Sequence, residues 1–197
     1  RDNVWWLGVL GGWDFMRTDT GPLKGFAVSG AHGGVNVDFR VLANQGITLV
    51  GSTESFEGQK IKFKDNLKHN LDEGDAALMA FYDEADTYIK NNGLSLPLEP
   101  QARKQLPNPE CVINPILDMD MEAANITSVI WASGFGYDFS WLQVDAFDEF
   151  NKPIHKQGIS PQRGVYFLGL PYLTGRGSSF IWGVWHDAKH IAEHIDI

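Results

Sequence analysis

A single cysteine, Cys111, leaves these 197 residues without a disulfide framework or a CxxC redox pair. That scarcity fits a reducing, cytoplasmic setting. No apolar run reaches the roughly 18 residues that suggest a membrane span, and no secretory leader is visible. Lys and Arg number 16 against 25 Asp and Glu, a net charge of −9, and the basic residues form no cluster. Nucleic acid and anionic membrane surfaces are therefore poor partners. Signature loops are missing too. GxGxxG, GxxxxGK[ST] and GxSxG occur nowhere, so no dinucleotide cradle, P-loop or nucleophile elbow is written in the chain. Gly134-Phe135-Gly136 and Gly175-Arg176-Gly177 each lack the third glycine. An initial Met is also absent: Arg1-Asp2-Asn3-Val4-Trp5-Trp6 opens in mid-pattern, which reads as a fragment or a processed product.

Aromatic residues are plentiful. Seven Trp and twelve Phe imply large apolar surfaces, inside the fold or around a flat ligand. The segment order reads as α/β. A short helix is expected near Asp2–Val9, and Val37 to Gln45 has helical spacing that stops at Gly46. Ile47-Thr48-Leu49-Val50-Gly51 is β-branched and bounded by glycine, hence a strand. Residues 52–65 suggest a hairpin turning at Ser55–Gln59 with Ile61 and Phe63 on one face. The longest helical pattern runs from about Asp65 to Asn92, interruptible at Gly74. It buries Leu67, Leu71, Leu78, Phe81 or Tyr82, Ala85, and Tyr88 or Ile89, and turns an acidic face to solvent. Five prolines make 94–116 an irregular connector. Ile126 to Ala132 reads as a strand covered on both faces, and Val165 to Leu168 as another buried strand. A breaker-rich loop, Gly169 to Gly177, then leads to a helix capped by Ser178 or Ser179. Phe180, Val184, Ala188, Ile191 and Ile195 lie on a stripe about 80° wide, one buried helix face.

Several constellations could carry chemistry. The start of that last helix offers free N–H groups and about half a positive charge, which suits a phosphate or the negative edge of a redox ring. A helix packed on a sheet explains the stretch equally well. His186, His190 and His194 follow i, i+4, i+8 spacing, as metal ligands can, but they fall largely away from the apolar stripe. A solvated face is the preferred reading, and no metal is expected. Gly30-Ala31-His32-Gly33-Gly34 opens a helix and could cradle phosphate, although a tight turn explains it as well. Cys111 lies among prolines without a neighbouring His. Ser133-Gly134-Phe135 closes the 126–132 run with small residues that let a backbone approach a ligand.

The run from Gly164 through Leu173, with Gly177-Ser178-Ser179-Phe180-Ile181-Trp182-Gly183-Val184 and Asp187 to Ile195, resembles the C-terminal end of flavin-containing monooxygenase-like flavoproteins. The nearest branch is labelled predicted flavoprotein involved in potassium transport. Val129 to Phe135 is similar to that family's hinge segment between its NADPH and FAD domains, with Ser133 where Thr is usual. Arg1 to Leu7, Gly30 to Asp38, Arg40 to Ala43, Gly46 to Gly51 and the acidic helix after Leu67 extend the likeness in order. Trp185 and His186 depart from the smaller or acidic residues common there.

The resemblance implies a partial fold of two dinucleotide-binding, Rossmann-like domains: 1–125 as the latter part of the NADPH domain with an insertion, 126–197 as the closing part of the FAD domain. It implies FAD and NADPH as cofactors, O2 activation by the reduced flavin, a small-molecule substrate, and an upstream half that supplies the pyrophosphate loops. Cofactor-facing residues would be Ser133, Gly134, Phe135, Gly169, Leu170, Pro171, Ser178, Ser179, Phe180 and Trp182. Two rivals stand beside this reading. One is a non-catalytic α/β module that binds a partner or a flat ligand through its aromatic surfaces. The other is a flavin reductase that oxidises NADPH without oxygenating a substrate.

Overall fold

The computed structural model describes residues 3–14, 27–28 and 35–195. The glycine-rich 30–34 segment lies outside them. The chain divides into two units, one formed by 1–6 and 22–131, the other by 7–21 and 132–197. Its architecture is mixed α/β, with a small antiparallel sheet.

Helix α1 (Asn3–Val9) sits where the sequence places it, and in the first unit α2 (Phe39–Asn44) follows an Asp38 side chain that accepts the Arg40 amide. The α2 helix ends at Gly46 as expected. The Gly46 amide returns to Ala43 O at 3.0 Å and the Ile47 amide to Leu42 O at 3.2 Å, the paired bonds of a Schellman cap. Its buried side chain is Arg40, whereas Val41 is largely exposed. Strands β1 (Thr53–Glu57) and β2 (Lys60–Phe63) form the expected hairpin, with a shorter turn than predicted: Gly58 and Gln59 alone connect Glu57 to Lys60. An unpredicted third strand, β3 (Asp118–Asp120), pairs with β2 to give the order β1-β2-β3. Ile61 and Phe63 are buried, as their alternation requires.

Helix α3 (Leu67–Asn91) is continuous through Gly74 and buries Leu67, Leu71, Phe81 and Ala85. Leu67 and Leu71 pack with Val112 of α4 (Glu110–Ile113), and Leu49 and Cys111 lie against them. The acidic side of α3 is exposed except at Asp75. There Arg40 donates from Nη1 at 3.2 Å and Nη2 at 2.8 Å to the two carboxylate oxygens, and from Nε at 3.0 Å to Asn108 Oδ1. This fork joins α2, α3 and the proline-rich connector.

Three predicted strands are not strands. Residues 47–51 and 126–132 join no ladder among the described residues, and 165–168 makes only an isolated bridge between Tyr166 and Ile159. A strand is fixed by its neighbours, and these runs have none to pair with here. The 126–132 run is also uncovered, with Ile130 89% exposed.

The second unit is held by Ala146, Phe167, Leu173 and Ile191, with Phe139 and Phe147 rings edge-on or tilted around Phe167. Gly158 lies at its centre, where the Phe167 amide donates to Gly158 O at 2.7 Å. The His155 ring rests 5.9 Å from that of Phe167, and its Nδ1 accepts the Gly158 amide at 3.3 Å. Burial pushes the His155 pKa below its usual value. A ring that resists its proton contributes stability above about pH 6.5, and that contribution is lost as the pH falls toward the lowered value. Melting curves taken between about pH 8 and 5 should show the second unit weakening on the acid side of that range, a slope that His155→Gln should flatten.

Candidate functional site

The last helix, α5 (Val184–Ile195), begins later than its sequence suggests. Ser178 is not its cap. The Ser178 hydroxyl oxygen instead accepts the amides of Thr174 at 3.1 Å and Gly175 at 3.2 Å, which folds Arg176–Ser179 into a 3-10 turn. The apolar stripe shortens accordingly: Ile191 is buried and Val184 and Ala188 are half-buried, whereas Phe180 and Ile195 are exposed.

Between the turn and α5 lies an exposed aromatic surface of the second unit. The rings of Phe180 and Trp182 stack with centroids 4.8 Å apart and planes 10° from parallel. Trp13 stands edge-on to both, at 6.0 and 5.8 Å. Its backbone carbonyl takes the Gly177 amide at 3.0 Å. Trp182 is 57% exposed and Ile181 93% exposed. The Phe180, Gly183 and Val184 amides are used within the turn, but those of Ile181 and Trp182 donate to no described residue. Flat apolar rings and free N–H donors thus sit side by side at the positive end of a twelve-residue helix.

Of the sequence-predicted residues, Phe180 and Trp182 are brought together on this surface, and Ser178 supports it from a buried position. Ser179 is exposed beside them, Gly169 and Leu170 are half-buried, and Pro171 is exposed. Ser133, Gly134 and Phe135 are exposed, and no hydrogen bond or ring contact joins them to the rest. Sequence reasoning missed Trp13 and the pairing of Thr174 with Asp187. Asp187 is completely buried, and its Oδ1 accepts the Thr174 hydroxyl at 2.5 Å. Its signal was faint: an acid at the margin of an apolar stripe.

The histidines of α5 have separate surroundings. His186 lies on Trp185, His194 meets Tyr166 edge-on, and His190, read as part of a solvated face, turns its Nε2 inward. No group of three metal-type side chains occurs among the described residues. In the first unit, a cavity of about 380 Å³ beside Arg40, Asp75 and Asn108 contains none of the predicted residues. No helix among the described residues is long and apolar enough to cross a membrane.

Comparison with known proteins finds partial relatives that are named oxidoreductases. An uncharacterized CzcO-like oxidoreductase of Geobacillus kaustophilus is 38% identical over 91 residues, covering 45% of this chain and 26% of that protein. The uncharacterized oxidoreductases CzcO of Bacillus subtilis and Bacillus velezensis are 34% and 32% identical over 84 residues, each covering 42% of this chain and 24% of the relative.

The chain is similar to CzcO-like oxidoreductases.

That similarity is consistent with the partial likeness to flavoprotein monooxygenases drawn from the sequence. The chain spans about a quarter of the length of the CzcO-type relatives it matches. No family model and no solved structure matches it.

Proposed function

We propose that this chain is the part of an NADPH-dependent FAD oxidoreductase, monooxygenase-like in type, that closes over the flavin ring. The observation that carries this reading is the exposed Phe180–Trp182 ring pair with the unused Ile181 and Trp182 amides beside it. The residues present fit such a ring. Phe180 and Trp182 offer a flat apolar wall. The two amides can donate to a carbonyl edge, and the start of α5 favours negative charge there. Ser178 takes no direct part, since its hydroxyl oxygen is occupied by the turn. When bound, FAD would supply hydride acceptance from NADPH and the activation of O2. The chain's own contribution is to hold the ring, exclude water from one side and stabilise charge at its edge.

On this reading the partial Rossmann-like architecture and a small-molecule substrate carry over from the resemblance, and a cytoplasmic setting follows from the single cysteine. The pyrophosphate loops belong to sequence outside these 197 residues, the upstream half that the substrate site also needs. An absorbance spectrum of the longest natural product of the gene, before and after NADPH, is the deciding experiment. A flavin band that bleaches on reduction supports the reading, and a colourless product ends it. In that flavin-loaded protein, Trp182→Ala should weaken FAD binding by about tenfold, the worth of one good aromatic pair. The 197 residues alone should hold FAD weakly. A tight yellow complex of the isolated chain would overturn the assignment of the pyrophosphate loops elsewhere.

A second reading has its own observation. Ile130, Trp131, Phe135, Tyr137 and Trp141 are all well exposed, as a non-catalytic module that binds a partner through aromatic surfaces requires. A colourless natural product that captures a specific partner would favour it. Peroxide formation without oxygenated product would instead identify an NADPH-oxidising reductase.

A further inference from the structure

Carboxylates are almost never sealed from water without partners, and Asp187 on α5 has no exposed surface. Only half of it is satisfied. Oδ1 takes the Thr174 hydroxyl at 2.5 Å, while Oδ2 has no hydrogen-bond partner, nor does the buried His190 Nε2 almost one turn further along α5. A polar group left so in a protein interior destabilises it, so the Thr174 contact has a role beyond filling space.

The contact leads directly to the ring pair. Thr174 gives its amide to Ser178 Oγ, which also takes the Gly175 amide, and the Ser178 amide returns to Gly175 O at 3.2 Å. Next in the turn, Gly177 donates to the carbonyl of Trp13, whose ring abuts Phe180 and Trp182. On the other side, Gly183 passes so close to Gly177 that a side chain at 183 would meet the Gly177 carbonyl. Among the described residues, Thr174 is therefore the one tether between the α5 carboxylate and a turn whose far end carries the aromatic face.

We propose that Asp187 is the positioning residue of the candidate flavin-facing surface: through Thr174 it sets the turn that fixes the angle of Phe180, Trp182 and their neighbouring amides. This rests on the flavin reading of that surface. Asp187 itself, fully buried, is not a catalytic residue. Asp187 also lies in the first turn of α5, so the tether pulls the turn onto the helix start rather than onto its flank.

Two measurements test this. In the 197-residue chain, Thr174→Val keeps the shape and deletes the donor. Near-ultraviolet circular dichroism should lose the part of its signal that Trp182→Phe also removes, and the two changes should not add. Thr174→Ser should restore the wild-type spectrum, and Asp187→Asn, which keeps an acceptor oxygen, should retain it. In the flavin-loaded natural product, Thr174→Val should loosen FAD by about tenfold, the worth of one buried hydrogen bond, with Thr174→Ser close to wild type. An unaltered Trp182-dependent signal in a folded Thr174→Val chain would overturn the proposal. So would failure of Thr174→Ser to rescue. Should Thr174→Val not fold, Asp187→Asn decides: a lost signal in that folded variant counts against the tether. A natural product without flavin would sink the flavin reading alone, since the dichroism still reports whether Asp187 sets the face.

Discussion

Arg40→Ala should destabilise the first unit by about 2–3 kcal/mol, less than the usual cost of removing one partner from a fully buried ion pair, because the Asp75 side chain keeps 21% exposure. Arg40 is 5% exposed, and among the described residues its guanidinium is what links α2 to the Asp75 carboxylate of α3 and to Asn108. Truncation leaves Asp75 poorly solvated and unpaired, and strips Asn108 Oδ1 of its donor. Urea unfolding followed by hydrogen exchange on α3 amides should show the midpoint falling with little change in slope. Arg40→Lys should recover only part of the loss, because an ammonium cannot reproduce two parallel bonds to one carboxylate and a third to the amide. The double variant Arg40→Met with Asp75→Leu should be far milder than either truncation alone. Equal damage from the single and double variants would show that the fork is not the join it looks to be.

The second large effect is expected at Gly158. Its φ is +85°, and an added Cβ would stand 2.5 Å from the Phe167 carbonyl oxygen and 3.1 Å from Ile191 Cδ1. Two penalties therefore coincide in Gly158→Ala: a left-handed backbone that side chains resist, and overlap with a backbone atom that cannot swing aside. Each amounts to about 1–3 kcal/mol, so a loss of roughly 3 kcal/mol or more is expected. The site also joins the Phe167 amide to the His155 ring, so the aromatic cluster should loosen with it. Thermal melting with near-ultraviolet detection gives the answer, and a melting temperature within a degree or two of wild type would contradict the packing described.

Helices were legible where their signal is local. The α3 periodicity is complete within its own 25 residues, and Gly46 announces the end of α2 by a cap that needs nothing distant. Strands were not, because pairing is a non-local fact. Ile47–Gly51, Ile126–Ala132 and Val165–Leu168 have strand-forming residues but no ladder among the described residues, while Asp118-Met119-Asp120 has little strand character and pairs through the complementary edge of β2. The candidate site is hidden in the same way. Phe180 and Trp182 come to notice through the resemblance alone, since periodicity by itself puts Phe180 on a buried helix face. The start of α5 escapes as well, since Ser178 spends its oxygen on a turn instead of a cap. Asp75 was read with its solvated acidic neighbours because the arginine that buries it lies 35 positions away. The pairing of Asp187 with Thr174 is hidden for the same reason, its partner being 13 positions upstream.

The three-stranded sheet has a further meaning in its charges. Its middle strand carries Lys60 and Lys62, which face Glu57 on one side and Asp120 and Asp118 on the other, and the Glu57 carboxylate beside Lys62 raises that lysine's pKa. Both open borders are consequently acidic. A second molecule offering its own border would set carboxylates against carboxylates, so the arrangement that selects the correct register also guards against fibrous growth by strand addition.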